Sequence, residues 1–504
     1  MGNFGLLLDG FQIALTPYHI MLMVVGVMLG LIVGVLPGLG APNGVSLLIP
    51  LTFSMDPVSA IILLASMYWG ALFGGSTTSI LFNIPGEPSS VATTFDGYPM
   101  ARAGQPTRAL TLAFMSAGIG ALAGVIVITL LSSWAASFAL RFGAPEYFAV
   151  YFLAFCAFVG MGSAAPLKTV VSLGLGLLFS TVGMDTVTGS LRLTFGLDVL
   201  IGGISFLVVV IGLFGIGEIL ATVQDGHKFR GLSSRIDLRD VLRTIAELPR
   251  YLTTVIRSCA VGIWMGITPG GPTAASFMSY GIARQCSKPG QAFGSGRAEG
   301  IVAPETADHS AGTCAMLPML ALGLPSSATA AVMMGGLMIW GLTPGPMLFT
   351  TKPDFVWGLI ASMYVSNIVG VILVLATVPM FAALLRIPFS IIGPVIVAIC
   401  FVGAYTVSSE TFDLWLVLVF GVLGFVFNKL EFPIAPLVLA MVLGHKAENA
   451  FHQSMIISDG SLGVFFSNPL VGTITMLALA LVVVPQAVKL LSRLRRRGAA
   501  GSAH

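Results

Sequence analysis

Residues 61–90 read IILLASMYWGALFGGSTTSILFNIPGEPSS, an apolar segment that runs directly into glycines, hydroxyl side chains and prolines. Proline lacks a backbone N–H and clashes with the preceding turn, so Pro85 and Pro88 end a helix near Asn83. Ser89 or Ser90 can cap the next helix. At membrane depth the freed backbone groups need a cavity, an ion or a ligand as partner. We therefore interpret this stretch as an interrupted helix that binds a ligand.

The composition indicates a membrane protein built from helices. Of 504 residues, 56% are hydrophobic and only 9% are charged, whereas soluble globular proteins carry about 25% charged residues. Apolar stretches of membrane-spanning length lie at 19–36, 57–82, 109–133, 145–163, 167–183, 198–222, 251–268, 312–342, 355–379, 388–406, 412–428, 433–444 and 470–491. Lipid-exposed backbone must satisfy its own hydrogen bonds, and the alternation typical of a membrane barrel is missing. The sequence predicts an all-α polytopic membrane protein with about 11–12 transmembrane helices.

The interrupted motif occurs twice. The run GVLPGLG at 34–40 returns as GITPGG at 266–271. The pair Gly-Ser at 75–76, followed by Pro-Ser-Ser, returns as Gly-Thr at 312–313, also followed by Pro-Ser-Ser, with one offset of 237 residues. Duplicated segments of this kind indicate an internal repeat. We predict a first membrane repeat over 1–235, a linking segment over 236–250, a second repeat over 251–468, and an extra transmembrane helix with a basic tail over 469–504.

The basic residues predict the orientation of the repeats. Lys and Arg cluster at 228–257 and again at 489–497, which places both segments in the cytoplasm by the positive-inside rule. Because one unpaired helix ends the chain, each repeat crosses an odd number of times, and the two are inverted relative to each other. Inverted repeats with interrupted helices are a recurring plan of secondary transporters. The linking segment 236–250 is either an interfacial amphipathic helix or a plain charged linker.

The interrupted segments supply candidate donors for an anion. A half-helix N-terminus presents unpaired N–H groups and about half a positive charge, and the hydroxyl groups add neutral donors. Lys and Arg are nearly absent from these segments, so helix ends, hydroxyls and co-bound cations must balance the substrate's charge. The candidate substrate-binding residues are Gly38, Gly40, Asn43, Ser76, Thr77, Ser89, Ser90, Pro269, Gly270, Gly271, Thr273, Ser326, Ser327 and Thr329.

A polar run in the second repeat, PETADHSAGT at 304–313, predicts a coupling site. Intramembrane carboxylates are costly and mark functional sites. Glu305 and Asp308 share a helix face with Gly312, and His309 is a candidate proton relay. The alternative is a wet loop before a helix over 312–342. The candidate cation-binding or coupling residues are Gly75, Asn83, Glu305, Asp308, His309, Gly312 and Thr313.

The membrane potential indicates symport as the mechanism. Moving one charge across 100 mV takes about 2.3 kcal/mol, so a trianion entering an inside-negative cell costs about 7 kcal/mol. More than three coupled cations would then be needed for the potential to drive uptake. We expect Na⁺ or H⁺ as the coupling ion, no metal site beyond Na⁺, and no other cofactor.

The chain resembles the large membrane subunit (TctA family) of the tripartite tricarboxylate transporters. The resemblance rests on GVLPGLG at 34–40, DGYPMA at 96–101, FGSG at 293–296, EGIVAPE at 299–305 and LGLP at 322–325. It implies cation-coupled uptake of carboxylates such as citrate across the bacterial inner membrane. It also implies two partners, a small four-helix membrane subunit and a periplasmic solute-binding protein.

Two departures from the family pattern concern the site. Asp308 and His309 stand where the family usually has paired Asn, and Pro325-Ser326-Ser327 stands where it usually has Pro-Gly-Ser. The substrate or the coupling ion could therefore differ from the family type. For Asp96-Gly97 we expect a structural role in a loop at the cytoplasmic face.

Two other functions compete with the interpretation as a tripartite transporter subunit. An intramembrane hydrolase would use Asp308, His309 and Ser310, but adjacent helical side chains point about 100° apart and cannot align as a relay. We therefore predict that the protein is not an enzyme. The second rival is a solitary carrier or channel for organic anions that works without a binding protein.

Overall fold

The computed structural model describes residues 3–36, 39–161, 165–185, 189–225, 237–268, 271–287, 292–384, 389–408 and 410–484. Helices dominate these residues, which confirms the all-α prediction. The only strands in these ranges form a short antiparallel hairpin, in which β1 (Gly183–Met184) pairs with β2 (Leu191–Arg192). Six helices within these ranges are, by length and composition, able to cross a membrane. The architecture is that of a polytopic membrane protein.

The helices follow one another along the chain, and the hairpin lies in the connection from the eighth to the ninth. Before the basic segment they are α1 (Asn3–Ala14), α2 (Pro17–Val35), α3 (Gly40–Leu48), α4 (Pro57–Phe82), α5 (Val91–Arg102), α6 (Pro106–Ala139), α7 (Ala144–Met161), α8 (Pro166–Ser180), α9 (Phe206–Val210) and α10 (Gly217–Asp225). From the basic segment onward they are α11 (Leu238–Glu247), α12 (Leu252–Ile267), α13 (Gly271–Gln285), α14 (Glu299–Cys314), α15 (Met316–Leu322), α16 (Ala328–Ile339), α17 (Leu348–Thr351), α18 (Pro353–Leu384), α19 (Phe389–Ser408), α20 (Thr411–Lys429), α21 (Ile434–Ile457) and α22 (Pro469–Val484). A π-helix (Ile211–Ile216) joins α9 to α10, and 3₁₀ turns lie at Ile49–Thr52, Pro88–Ser90, Asp198–Leu200, Leu248–Tyr251 and Leu462–Phe466.

The described chain divides into two compact units. The first comprises Met1–Leu140 and Ser205–Leu430. Its core contains the fully buried α4, which packs on α2 through glycines: a methyl group at Gly30 or Gly34 would overlap the carbonyl oxygen of Met67 or Ala71. The missing side chains let the two backbones approach closely, as small residues do in membrane helix pairs.

The second unit comprises Arg141–Ile204 and Glu431–His504. Here α8 packs on α21, where Gly176 allows close approach to the carbonyl of Leu437. Arg192 of β2 pairs with Glu448 of α21 at 2.6 Å. None of the candidate site residues belongs to this unit.

Several sequence predictions need correction. The run 304–313 lies on α14 and is buried, so the wet-loop alternative is wrong. The predicted single helix over 312–342 is divided among α14, α15 and α16, because Leu322 is followed by a left-handed glycine. Asp96-Gly97 lies inside helix α5 and not in a loop. Hydropathy also missed α1, which has only 12 residues, and α5 and α13, whose polar and charged residues lower their mean hydropathy.

The structure describes only part of the linking segment and of the basic segments. Within the linking segment 236–250, Leu238–Glu247 forms a helix whose Val241 and Thr244 are buried while Leu238 and Leu242 are exposed. The basic residues at 226–236 and the tail at 485–504 lie outside the described residues. The repeat boundaries and the inverted orientation of the repeats stay predictions.

Candidate functional site

The first interruption is a turn between α4 and α5. Asn83 ends α4 in the left-handed conformation, with φ 59° and ψ 29°. Two residues later comes Pro85, and Glu87 then adopts an extended conformation (φ −129°, ψ 154°) as the cap of the 3₁₀ turn Pro88–Ser90. Ser90 completes this turn, since its hydroxyl donates to the Glu87 carbonyl at 2.9 Å. The turn therefore delivers the Glu87 side chain to the inside of the protein.

The second interruption has the same backbone course. Gly323 ends α15 with φ 66° and ψ 31°, Pro325 follows two residues later, and Ser327 caps α16 in an extended conformation (φ −141°, ψ 163°). The two turns thus correspond at an offset of 240 residues, so the offset of 237 predicted for the Pro-Ser-Ser motifs is wrong. An alignment of the two sequence motifs pairs Pro325 with Pro88, whereas the backbone conformations of the two turns pair Pro325 with Pro85.

Glycine contacts support the corrected register. Gly30 and Gly34 of α2 approach Met67 and Ala71, and the corresponding glycines of α12, Gly262 and Gly266, approach Ala307 and Ala311. Ala71 and Ala311 are again 240 residues apart. In this register Glu87 of the first turn corresponds to Ser327 of the second.

Glu305 lies at the centre of the candidate site. It is buried on α14 with 1% of its surface exposed. Its Oε2 accepts a 2.8 Å hydrogen bond from the hydroxyl of Ser76 on α4. Its Oε1 accepts a 2.5 Å hydrogen bond from the hydroxyl of Thr93 on α5. One carboxylate of the second half therefore joins two helices of the first half through neutral donors.

Glu87 is a second buried carboxylate of the site, and the sequence prediction omitted it. Its Oε1 accepts a hydrogen bond from the backbone N–H of Ala41. Ala41 is in the first turn of α3, where backbone N–H groups have no partner within the helix. Glu87 thus satisfies the positive end of this half-helix. The signal was present, since an acidic residue stood between two prolines in a stretch almost without charge.

Asp308 is the third buried carboxylate, 1% exposed. Neither of its oxygens has a hydrogen-bond partner in the described part of the chain, and the same holds for the hydroxyls of Tyr68 and Ser89. Asp308 interacts electrostatically with Glu305 and Glu87, and the Ser89 hydroxyl lies nearby. Tyr68 also interacts electrostatically with Asp308.

His309 lies between two of the carboxylates. Its Nδ1 is 3.9 Å from Oε2 of Glu305 and 3.9 Å from Oδ2 of Asp308. Its ring stands against Phe73, with centroids 4.6 Å apart. Its Nε2 has no hydrogen-bond partner among the described residues. The hydrogen bond of its Nδ1 is to the backbone carbonyl of Glu305, at 3.3 Å.

Some predicted residues shape the turns. Ser90 bonds Ser79 at 2.9 Å, Ser326 donates to the carbonyl of Gly266 at 2.6 Å, and Ser327 accepts from Ala330 N–H at 3.2 Å. Asn83 is exposed at the end of α4. The three hydroxyls stabilise the backbone at the interruptions.

Other predicted residues line the neighbouring helices. Thr77 donates to the carbonyl of Phe73 in its own helix, and Thr313 accepts from the indole N–H of Trp69 at 3.1 Å. Asn43 of α3 and Thr329 of α16 are buried, whereas Thr273 of α13 is half-buried. Gly38, Pro269 and Gly270 lie outside the described residues.

The predicted glycines allow close approach. Side chains at Gly75 and Gly312 would press on Glu87 and on the Tyr68 hydroxyl, at 3.2 Å and 2.9 Å from the added carbon. Gly40 and Gly271 open α3 and α13 with φ +35° and +63°, a region that glycine adopts without strain. The structure therefore brings Gly75, Ser76, Ser89, Glu305, Asp308, His309 and Gly312 together.

Positive charge is missing around the carboxylates. In the ion pairs of the described residues, no Lys or Arg side chain pairs with Glu87, Glu305 or Asp308. Within the same ranges, no group of three or more His, Cys, Asp and Glu side chains is arranged to hold a metal ion. In the described structure, the polar neighbours of these carboxylates are hydroxyl groups, the N-terminal end of α3 and the imidazole of His309.

Comparison with known proteins gives the family. The model of the tripartite tricarboxylate transporter TctA family matches residues 20–439. An uncharacterized 52.8 kDa protein in the TAR-I ttuC′ 3′ region of Agrobacterium vitis is 38% identical over 476 residues, 94% of each chain. A protein in the TAR-II ttuC′ 3′ region of the same organism is 36% identical over 224 residues, 44% of this chain and 93% of that one. No solved structure matches. The match spans both interruptions and all three carboxylates, and the chain belongs to the tripartite tricarboxylate transporter TctA family.

Proposed function

We propose that the protein is the large permease subunit of a binding-protein-dependent transporter in the bacterial inner membrane. It imports a small carboxylate, such as citrate or a related organic acid, by symport with Na⁺ or H⁺. It works with a small membrane subunit and a periplasmic solute-binding protein. The observation that carries the proposal is Glu305, a buried carboxylate of α14 whose two oxygens accept from the hydroxyls of Ser76 and Thr93.

The three carboxylates support cation coupling. An ionised carboxylate in a low-dielectric interior is strongly destabilised unless a proton, a cation or hydrogen-bond donors compensate it. Glu305 has two hydroxyl donors and Glu87 has one backbone N–H, while Asp308 has no hydrogen-bond donor in the described structure. Binding of protons or Na⁺ supplies the missing compensation. The cluster therefore takes up cations when the site closes.

The unpaired hydroxyls support carboxylate binding. Tyr68 and Ser89 present buried hydroxyl groups next to Asp308. While Asp308 is ionised, its charge repels a substrate anion from these donors. Once a cation neutralises Asp308, this repulsion is removed and both hydroxyls can donate to a substrate carboxylate. Cation binding then precedes and permits substrate binding, which is the order that symport needs.

The enzyme rival finds no support in the geometry. The Ser310 hydroxyl donates to the carbonyl of Cys259 at 3.4 Å and is not paired with His309. His309 is instead directed at the backbone of Glu305 and at the two carboxylates. This arrangement lacks the nucleophile–base pair of a hydrolase.

Reconstitution tests the proposal and its rival. The chain is placed in proteoliposomes with its small membrane subunit and its binding protein, and uptake of radiolabelled citrate and other di- and tricarboxylates is followed under a Na⁺ or a proton gradient. We expect uptake that needs both an ion gradient and the binding protein. Equal uptake by the chain alone would favour the solitary carrier, and uptake that ignores both gradients would contradict symport. Glu305→Gln is the inactive control.

A further inference from the structure

Asp96 is a buried carboxylate outside the candidate site, and it joins two parts of the chain that are far apart in sequence. Its side chain is 0% exposed on α5. Oδ1 accepts three backbone hydrogen bonds, from Gly294 at 2.9 Å, Gly296 at 2.9 Å and Arg297 at 2.7 Å. Oδ2 accepts a fourth, from the hydroxyl of Tyr280 at 3.0 Å. Four donors on one carboxylate make a strong, charge-assisted clamp.

The loop over 294–297 is shaped for this carboxylate. Gly294 and Gly296 have φ +87° and +97°, the region that glycine favours. These angles turn successive N–H groups toward one point, which makes a concave anion-binding nest. The guanidinium of Arg297 pairs with Glu299 at 2.7 Å instead of with Asp96. The backbone and not a cationic side chain therefore holds Asp96.

The clamp lies directly before the helix that carries the coupling residues. Helix α14 begins at Glu299, two residues after the last clamped N–H group. A methyl group at Gly300 would overlap Oδ2 of Asp96, so the first turn of α14 is packed against the carboxylate. Moving Asp96 would shift the start of α14 and, with it, Glu305 and Asp308.

Helix α5 holds α14 at a second point. Thr93 is three residues before Asp96, so the two side chains lie on one face of α5. Thr93 donates to Glu305 while Asp96 binds the loop that precedes α14. The α4–α5 interruption and the α14 carboxylates are thereby connected through two adjacent positions of one short helix.

We propose that Asp96 is a positioning residue of the carboxylate site. Its clamp on the loop 294–297 keeps α5 and α14 together as one body, so that Thr93 stays on Glu305 while the transporter changes conformation. Asp96 touches neither substrate nor cation and acts through the placement of Glu305 and Asp308. This role of Asp96 is not part of the proposed function, although one of its tests measures the cation dependence of uptake.

Asp96→Ala in the complete complex is the first test. Losing hydrogen bonds to a charged group costs enough free energy to change a binding constant by a factor on the order of ten. We expect the apparent cation affinity of uptake to fall by at least about that factor, with a smaller fall for Asp96→Asn. Asp56→Asn is the matched control, since Asp56 also accepts backbone N–H groups, from Val58 and Ser59, but is exposed at the start of α4. This control should keep the wild-type cation dependence.

Gly300→Ala tests the same contact from the other side. Its methyl group should displace the Asp96 carboxylate and reproduce the loss of cation affinity. In the double variant with Asp96→Ala the methyl group enters vacated space, so the two effects should not add. Additive effects, or a Gly300→Ala protein with unchanged affinity, would overturn the proposal. The proposal would also be overturned if Asp96→Ala lowered the amount of folded protein but left the cation dependence of each folded molecule unchanged.

Hydrogen exchange separates this proposal from the proposed function. The amides of 294–305 should exchange faster in Asp96→Ala than in the wild type, while peptides of α2 keep their protection. This measurement needs no transport activity. If the wild-type complex showed no gradient-driven uptake but the exchange result held, the symport proposal would fail and the clamp would stand. Unchanged exchange at 294–305 would refute the clamp itself.

Discussion

The Ser76 hydroxyl donates to Oε2 of Glu305 at 2.8 Å, across 229 residues of sequence. Ser76 lies in the buried C-terminal part of α4, and Glu305 lies on α14 in the second half of the chain. Both groups are removed from solvent. This bond therefore makes the two halves of the sequence parts of one site, and it is the first contact that mutation should probe.

Ser76→Ala should change cation affinity without unfolding the protein. Removing one donor from a buried carboxylate destabilises its ionised form by about 1.5–3 kcal/mol. A proton or cation then has more charge to compensate, so we expect the cation concentration needed for half-maximal uptake to fall by roughly tenfold. Thr77→Ala is the matched control. Thr77 is equally buried, but its hydroxyl bonds the carbonyl of Phe73 in its own helix. Similar cation titrations for both variants would contradict the role of Ser76.

Glu87→Gln should abolish most gradient-driven uptake. The amide can still accept from Ala41 N–H, so the turn is retained, but the group no longer binds a proton or a cation. We expect normal membrane abundance and uptake reduced by at least about tenfold. Glu431→Gln is the control, because Glu431 is an exposed carboxylate that pairs with Lys168 at 3.6 Å. Full activity of Glu87→Gln would remove Glu87 from the site.

Asp308→Asn should change the ion or pH dependence of uptake. Neither Asp308 oxygen has a hydrogen-bond partner in the described structure, so a neutral amide of the same shape disturbs no existing bond. Burial penalises the ionised carboxylate, and the amide removes that penalty. We therefore expect a protein at least as heat-stable as the wild type whose uptake no longer responds to pH or Na⁺ in the wild-type manner. An unchanged profile would make Asp308 structural.

Ser89→Ala and Ser326→Ala should have different effects. The Ser89 hydroxyl is buried without a partner, whereas Ser326 donates to the Gly266 carbonyl at 2.6 Å. We expect Ser89→Ala to raise the substrate KM with stability unchanged. Ser326→Ala should lose about 1 kcal/mol of stability and show this as a lower melting temperature. Larger replacements at Ser89 should abolish uptake while membrane insertion continues; normal transport by them would place the substrate elsewhere.

Gly30→Ala should reduce the amount of folded protein. The new methyl group would overlap the Met67 carbonyl, and overpacking of this kind costs about 1–3 kcal/mol. Gly174→Ala on α8 is the control, since a methyl group there meets nothing within 4 Å. Detergent-solubilised abundance and thermal aggregation measure the difference. Equal abundance of the two variants would refute the close α2–α4 contact.

The sequence predicted much of the helical fold but not its short elements. Long apolar spans such as 57–82 and 412–428 are visible in composition, because crossing a membrane requires about 20 apolar residues in succession. The segments of α5 and α13 are short and partly polar, so hydropathy did not detect them. The run at 304–313 was ambiguous for the same reason, since only packing shows that a polar segment is buried.

The sequence by itself determined the class of the protein and the two interruptions, and it pointed to Glu305, Asp308 and His309 as candidate site residues. These follow from local rules: proline and glycine break helices, and carboxylates are costly in apolar surroundings. The tertiary structure alone decided that Glu87 joins the site, that the two turns correspond at 240 residues, and that Asp96 clamps the start of α14. Such relationships depend on contacts between residues hundreds of positions apart, and no local pattern encodes which distant donor a buried carboxylate finds.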